Sequence, residues 1–144
     1  MPPSDDIREN LGYEVRGTFR AFENALITYL STTDISVAYF HILRQDWTDE
    51  GIPQHELSSL AFMSRSVTSQ VVQKMANDEL IKRVEDSQNS RKKIIFLTDK
   101  GFEYRHSVIA GALAIPRIVS EDISDQDLEI FMRVLNTIRL NLEV

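Results

Sequence analysis

The sequence predicts an α+β fold made mainly of helices. Three observations predict it. Apolar residues recur at three- and four-residue steps near both ends of the chain, as in Val15, Phe19, Phe22 and Leu26. After Asp78 that period gives way to two β-branched and aromatic runs, Leu80–Val84 and Ile94–Leu97. The length of 144 residues, 42% of them hydrophobic, is enough to bury a core and too short for two full domains. Residues 1–144 are therefore expected to form one domain.

Each element has its own signal. The stripe Val15–Leu26 predicts a first helix over Leu11–Leu30. Ser31-Thr32-Thr33-Asp34 is turn and cap chemistry, with Asp34 expected to cap a second helix running to about Gln45. Trp47–Gly51 reads as a loop. Pro53 suits the first turn of a short third helix, Gln54–Ala61, because the N–H it lacks is unpaired there in any case. Ser64 opens a fourth helix in which Val67, Val71 and Met75 repeat at four-residue steps and Val72 joins them. Ser66, Ser69, Gln70, Gln73, Lys74 and Asn77 fall on its wet side. The two β-branched runs predict a hairpin with a polar, flexible tip at Asp86–Ser90. Thr98 and Asp99 cap a fifth helix, which Pro116 should kink or end near Ile115. Ser124-Asp125-Gln126-Asp127 resembles a capping box. In the final helix Leu128, Phe131, Leu135, Ile138 and Leu142 step by three, four, three and four, a seam that suits packing against another helix.

Charge is distributed unevenly. The formal net charge is −6, yet residues 64–93 hold 7 basic and 4 acidic side chains. Residues 1–63 hold 4 and 10, and residues 94–144 hold 5 and 8. On charge alone such a basic island is either a polyanion-binding surface or a solvated loop. Its position is more telling. It coincides with the second helix of a helix-turn-helix and the β-hairpin wing that follows.

Other chemistries lack their residues. There is no cysteine, which removes disulfides, zinc–thiolate and iron–sulfur sites and thiol redox sensing. No run approaches the ~18 apolar residues of a membrane span, and the acidic start is unlike a signal peptide, so a cytoplasmic protein without membrane contact is expected. His41, His55 and His106 are scattered, and only Glu103 lies at helical spacing from His106. Gly-rich phosphate loops, H-E-x-x-H and the nucleophile elbow are missing. Asp5-Asp6 and Glu121-Asp122 read as helix-start charges. The expectation is a protein with no catalytic residues, no metal and no cofactor.

In residues 54–101 the chain resembles the MarR family of winged helix-turn-helix transcription regulators, and its element order agrees over nearly the whole length. Gln54-His55-Glu56-Leu57-Ser58 is similar to the first helix of the family's motif. Ser64-Arg65-Ser66-Val67-Thr68-Ser69-Gln70 resembles the "S-R-S-T-V-T-R" start of its recognition helix. Leu80-Ile81-Lys82-Arg83 resembles the stretch leading into the wing, and Leu97-Thr98-Asp99-Lys100-Gly101 the recurring "L-T-x-x-G" after it. Three positions depart from the pattern. Asn89-Ser90-Arg91 stands for Asp-x-Arg, so any hydrogen bond to the Arg lacks charge assistance. Glu79 stands where a Gly commonly ends the recognition helix, and the sequence predicts a left-handed cap at Asn77 instead. Gln70 replaces a frequent Arg and is better matched to adenine than to guanine.

The resemblance implies a winged helix-turn-helix lobe over residues 34–100 and dimerisation helices over 5–31 and 101–144. It points to double-stranded DNA and a second copy of the chain as partners. Ser64 offers a hydroxyl to a phosphate. Arg65, Ser66, Ser69, Gln70, Gln73 and Lys74 lie on the face that would enter a major groove, and Asn89, Arg91, Lys92 and Lys93 near the wing tip would reach a neighbouring groove or its phosphates. The terminal stripes either fold back on one another within a monomer or pair across a two-fold axis. The resemblance implies pairing, with Phe19, Phe22, Leu128, Phe131, Leu135, Ile138 and Leu142 at the interface. It also implies a cleft for a small aromatic or anionic effector, for which Arg16, Phe19, Tyr39, His41 and Trp47 are the candidates, although aromatics at helical spacing also serve as core. The expected function is a sequence-specific repressor that binds a near-palindromic operator as a homodimer. The alternative is a dimeric ligand-binding or interaction module without DNA affinity, which the acidic balance and the neutral Gln70 favour.

Overall fold

The computed structural model describes residues 5–143 and divides at Gly111/Ala112 into two compact units. The first opens with α1, Ile7–Leu30. It starts a turn earlier than the apolar stripe because Asp6 caps it, its Oδ1 accepting from the Arg8 amide at 2.8 Å. Of its 24 residues only Leu26 and Leu30 are buried. α2 is Val37–Leu43, and its cap is Ser36 rather than the expected Asp34. Thr33 Oγ1 accepts from the Ile35 amide at 3.1 Å and holds the chain extended long enough to bury Ile35 before the helix begins.

α3 spans Gln54–Leu60 and α4 spans Arg65–Asn77. A two-residue strand that the sequence reading missed, β1 at Ile52–Pro53, precedes α3. It pairs antiparallel with the hairpin, whose strands are β2, Ile81–Asp86, and β3, Asn89–Leu97, in the order β1-β3-β2. Pro53 is tolerated because β1 is an edge. Gly51 enters it at φ 71, where a Cβ would meet the Ile95 carbonyl at 2.6 Å. The lobe core gathers Ile42, Leu43, Leu57, Val72, Met75, Leu80 and Ile95, all fully buried.

Two local expectations about α4 are corrected. Its buried positions are Thr68, Val71, Val72 and Met75, so Thr68 takes the place foreseen for Val67, and Val67 is exposed. The helix does stop at Asn77, but the left-handed residue is Glu79, at φ 62. The Glu79 amide bonds the Ala76 carbonyl at 3.0 Å and the Leu80 amide bonds that of Met75 at 2.9 Å, a Schellman closure. Thr98 Oγ1 donates to the Glu79 carbonyl at 2.6 Å and offsets the strain from outside the helix.

The fifth helix, α5, runs Asp99–Ala112, and Thr98 caps it by accepting from the Gly101 amide at 3.0 Å. A Cβ on Gly101 would collide with the Leu80 carbonyl, so only glycine lets α5 start against the sheet. α5 ends four residues ahead of Pro116, where the ring would clash with the carbonyl of residue 112, rather than near Ile115.

The second unit consists of α6, Ala114–Val119, and α7, Asp125–Leu142. Pro116 lies in the first turn of α6, where a missing N–H is harmless. Ser124 caps α7 as expected, accepting from the Asp127 amide at 3.1 Å. Along the α7 seam Leu128, Leu135 and Ile138 are half-buried, while Phe131 and Leu142 are exposed. Among the described residues no helix is long and apolar enough to cross a membrane.

Candidate nucleic-acid interface

α4 is anchored on one side and bare on the other. Ser64 caps it, its Oγ accepting from the Val67 amide at 3.1 Å, and the hydroxyl proton is left out of that bond. Thr68 Oγ1 donates to the Ser64 carbonyl at 2.9 Å. With Thr68, Val71, Val72 and Met75 turned inward, Arg65, Ser66, Ser69, Gln70, Gln73 and Lys74 are all exposed, as the periodicity requires. Gln73 Nε2 donates to Asn77 Oδ1 at 3.0 Å, one turn along the same face.

The wing is longer and tighter than the sequence suggested. Instead of a five-residue flexible tip, Ser87-Gln88 form a two-residue turn between paired Asp86 and Asn89. Asp86 Oδ1 accepts from the Gln88 amide at 3.0 Å. The next pair is Glu85 with Lys93, so Ser90, Arg91 and Lys92 are extra residues on β3 and bulge out of the ladder. Below them Lys93 Nζ donates to Glu85 Oε1 at 2.7 Å, which holds the Glu85 carboxyl below the usual range. Asn89 Oδ1 accepts from the Arg91 backbone amide at 3.1 Å. The Asn therefore fixes the backbone of the bulge and leaves the guanidinium outside that bond.

These two elements meet. Arg65 from α4 and Arg91, Lys92 and Lys93 from the wing line one cleft of about 190 Å³ together with Gln54, His55 and Ser58 of α3. Lys93 belongs to the wing-tip cations expected from the sequence, whereas Gln54, His55 and Ser58 had not been read as site residues. β1 is what sets the start of α3 against β3, and a two-residue strand leaves no periodicity to read. The rest of the basic island goes elsewhere. Lys82 borders a separate, open groove with Glu79, Asp99 and Lys100. Arg83 is half-buried, with Nε and Nη2 lacking any hydrogen-bond partner among the described residues.

The candidates for an effector site are spread over α1, α2 and the loop after it. Arg16 and Phe19 are exposed on α1. His41 Nε2 lies 3.4 Å from Glu23 Oε1, and Tyr39 Oη donates to Asp78 Oδ2 at 2.7 Å. Burial first, then that bond and the Asp78 charge, push the Tyr39 phenol up to about 12. Trp47 is a core residue, its Nε1 donating to the Ile42 carbonyl at 2.9 Å. Of the candidate interface residues on α1, Phe19 is 62% exposed and Phe22 43%. Among the described residues no three His, Asp or Glu side chains gather as a metal-binding group.

Residues 35–93, which contain α2, α3, α4 and most of the wing, match the sequence model of the MarR family. Over residues 35–93 the chain carries a MarR-family domain. Its fold is shared with the S. aureus protein MepR, solved as a DNA complex, at a TM-score of 0.81 and 18% identity over 92% of this chain and 98% of that one. PcaV from Streptomyces coelicolor, solved with its natural ligand, superposes with a TM-score of 0.77 at 16% identity, covering 98% of this chain and 99% of the other. CouR from Rhodococcus jostii RHA1, bound to p-coumaroyl-CoA, gives 0.78 at 20% identity, with 94% and 95% covered. No curated protein matches the chain by sequence. The matched residues cover the helix-turn-helix and most of the wing, and the Gly101 turn lies beyond them.

Proposed function

We propose that this MarR-family protein is a transcriptional regulator that binds DNA sequence-specifically as a homodimer and represses by occluding a promoter. The observation that carries the reading is the convergence of Arg65, Arg91 and Lys92 on one cleft beside the exposed polar face of α4. In an otherwise acidic chain, that is where a phosphate backbone gains most. α4 supplies the groove-reading face through Ser66, Ser69, Gln70 and Gln73, and Ser64 and Lys74 flank it with phosphate-directed groups. The exposed apolar side chains of α1 and α7 supply the two-fold interface. Two copies of α4 then face half-sites about 34 Å apart, which makes the operator a near-palindrome.

The reading assigns no catalytic residue, metal or cofactor. Its effector is a small aromatic or anionic molecule, a chemistry supported by the p-coumaroyl-CoA that CouR holds. Arg16, Phe19, Tyr39 and His41 remain the residues assigned to it, while Trp47 is buried in the core. The test is a gel-shift titration with the DNA upstream of the chain's own gene, repeated across salt concentrations. Specific binding that weakens steeply with salt is expected, since log affinity falls by roughly 0.9 per phosphate contact per log unit of salt. Equal affinity for operator and random duplex would leave the chain as a helical interaction module.

A further inference from the structure

Val67 is the apolar side chain that the α4 packing leaves out. Its neighbours Thr68, Val71, Val72 and Met75 are buried, yet Val67 stays 45% exposed in the first turn of the helix. With Gln70 and Lys74 it steps three and four residues along one exposed line. Helix stability gives no reason for valine there, because a β-branched residue is a poorer helix former than alanine or glutamine.

We infer that Val67 reads the methyl group of a thymine in the major groove, an inference that rests on the DNA-binding reading of α4. Residues at the N-terminal end of a recognition helix are the ones that reach base edges. The major groove displays one apolar feature, the thymine 5-methyl. Valine is held in a single rotamer on a helix and so loses little side-chain entropy on docking. Gln70, one turn further along the same line, carries the amide that matches adenine N6 and N7. At about 1.5 Å rise per residue the two positions are separated by about 4.5 Å along the helix axis, against a base-pair step of about 3.4 Å. Both side chains thus address the same or neighbouring base pairs, and each half-site carries an A·T element beneath the first turn of α4.

The experiment replaces each operator thymine singly by deoxyuridine, which removes only the methyl, and measures binding by fluorescence anisotropy. One position per half-site is expected to weaken wild-type binding about four-fold, the equivalent of one methyl-sized group returned to water. Val67→Ala, which alters both half-sites of a dimer, should lose about sixteen-fold in affinity for the thymine operator and become indifferent to deoxyuridine at that position, with no loss of melting temperature. Val67→Ile should keep the discrimination. If operator binding is intact but no position distinguishes wild type from Val67→Ala, the assignment is overturned and the DNA-binding reading stands. If no duplex binds at all, that reading fails first and takes this one with it.

Discussion

Tyr39 Oη donates a 2.7 Å hydrogen bond to Asp78 Oδ2, joining α2 to the residue that closes α4. Lys100 Nζ donates to the Asp78 carbonyl at 2.8 Å, so the C-terminal end of α4 is also tied to the start of α5. The helix proposed to read the groove is thus fixed at its far end by elements outside the helix-turn-helix.

The first prediction concerns this tie. Burial and the Asp78 carboxylate raise the Tyr39 phenol from 10.0 to about 12. Because the folded value lies above the unfolded one, the stabilisation is complete below pH 10 and is lost as pH rises towards 12. Tyr39→Phe should cost about 1 kcal/mol at neutral pH and should flatten the fall in stability across that alkaline window. Asp78→Asn should bring the phenol back towards 10.0, read as the ultraviolet titration that Tyr39→Phe lacks.

A second prediction contrasts two positions at the ends of the Thr98 turn. Glu79 stands at φ 62, where a left-handed backbone costs a side-chain-bearing residue about 1 kcal/mol. Glu79→Gly should therefore raise stability by about 0.5 kcal/mol, the gain left after glycine's extra unfolded-state entropy. Gly101→Ala runs the other way. Its Cβ would press on the Leu80 carbonyl, a backbone atom that cannot swing aside, and about 2 kcal/mol or more should be lost. Thermal melts of both variants decide the signs.

What the sequence made legible follows from the range over which each signal acts. Helices with several turns declared themselves through periodicity, and the caps at Ser64 and Ser124 were readable because cap and helix are neighbours in sequence. The left-handed turn at Glu79 was not readable, because the support from Thr98 comes 19 residues later. Thr68 in place of Val67 was missed for a related reason. A threonine whose hydroxyl bonds the Ser64 carbonyl can be buried without an unpaired group, and residue type alone does not reveal that. Arg65 and Arg91 were singled out separately from their motifs, but the α3 side of their cleft depends on the pairing of Ile52 with Ile95.

The third prediction concerns the wing bulge. Arg91 lies among three unpaired residues whose backbone is held by Asn89, and its removal disturbs no ladder bond. Arg91→Ala should leave the melting temperature unchanged. It should weaken binding to operator and random DNA alike, and reduce the salt slope by roughly 1 to 2 for the two wings of a dimer. A loss confined to one operator sequence would assign Arg91 to base reading. No loss at all would show the bulge to be a solvated loop.

The last prediction concerns the terminal helices. Leu135 lies mid-way along the α7 seam between Phe131 and Ile138, and it is half-buried while Phe131 stands 47% exposed. A seam that regular, left so open, is expected to be completed by a second copy of the chain. Leu135→Glu would then place a carboxylate in an apolar interface with no partner, losing about 2 kcal/mol of leucine burial per subunit and adding the desolvation of a charge. Sedimentation is expected to show a dimer for wild type and a monomer for the variant. Since one copy of α4 and one wing supply only half of the phosphate and base contacts, operator affinity should collapse in parallel, although Gln70 and Arg91 are untouched. Leu135→Met, similar in volume and apolar, should preserve both dimer and binding. A Leu135→Glu protein that remains dimeric and holds its operator would remove α7 from the two-fold interface and return its seam to packing within one chain.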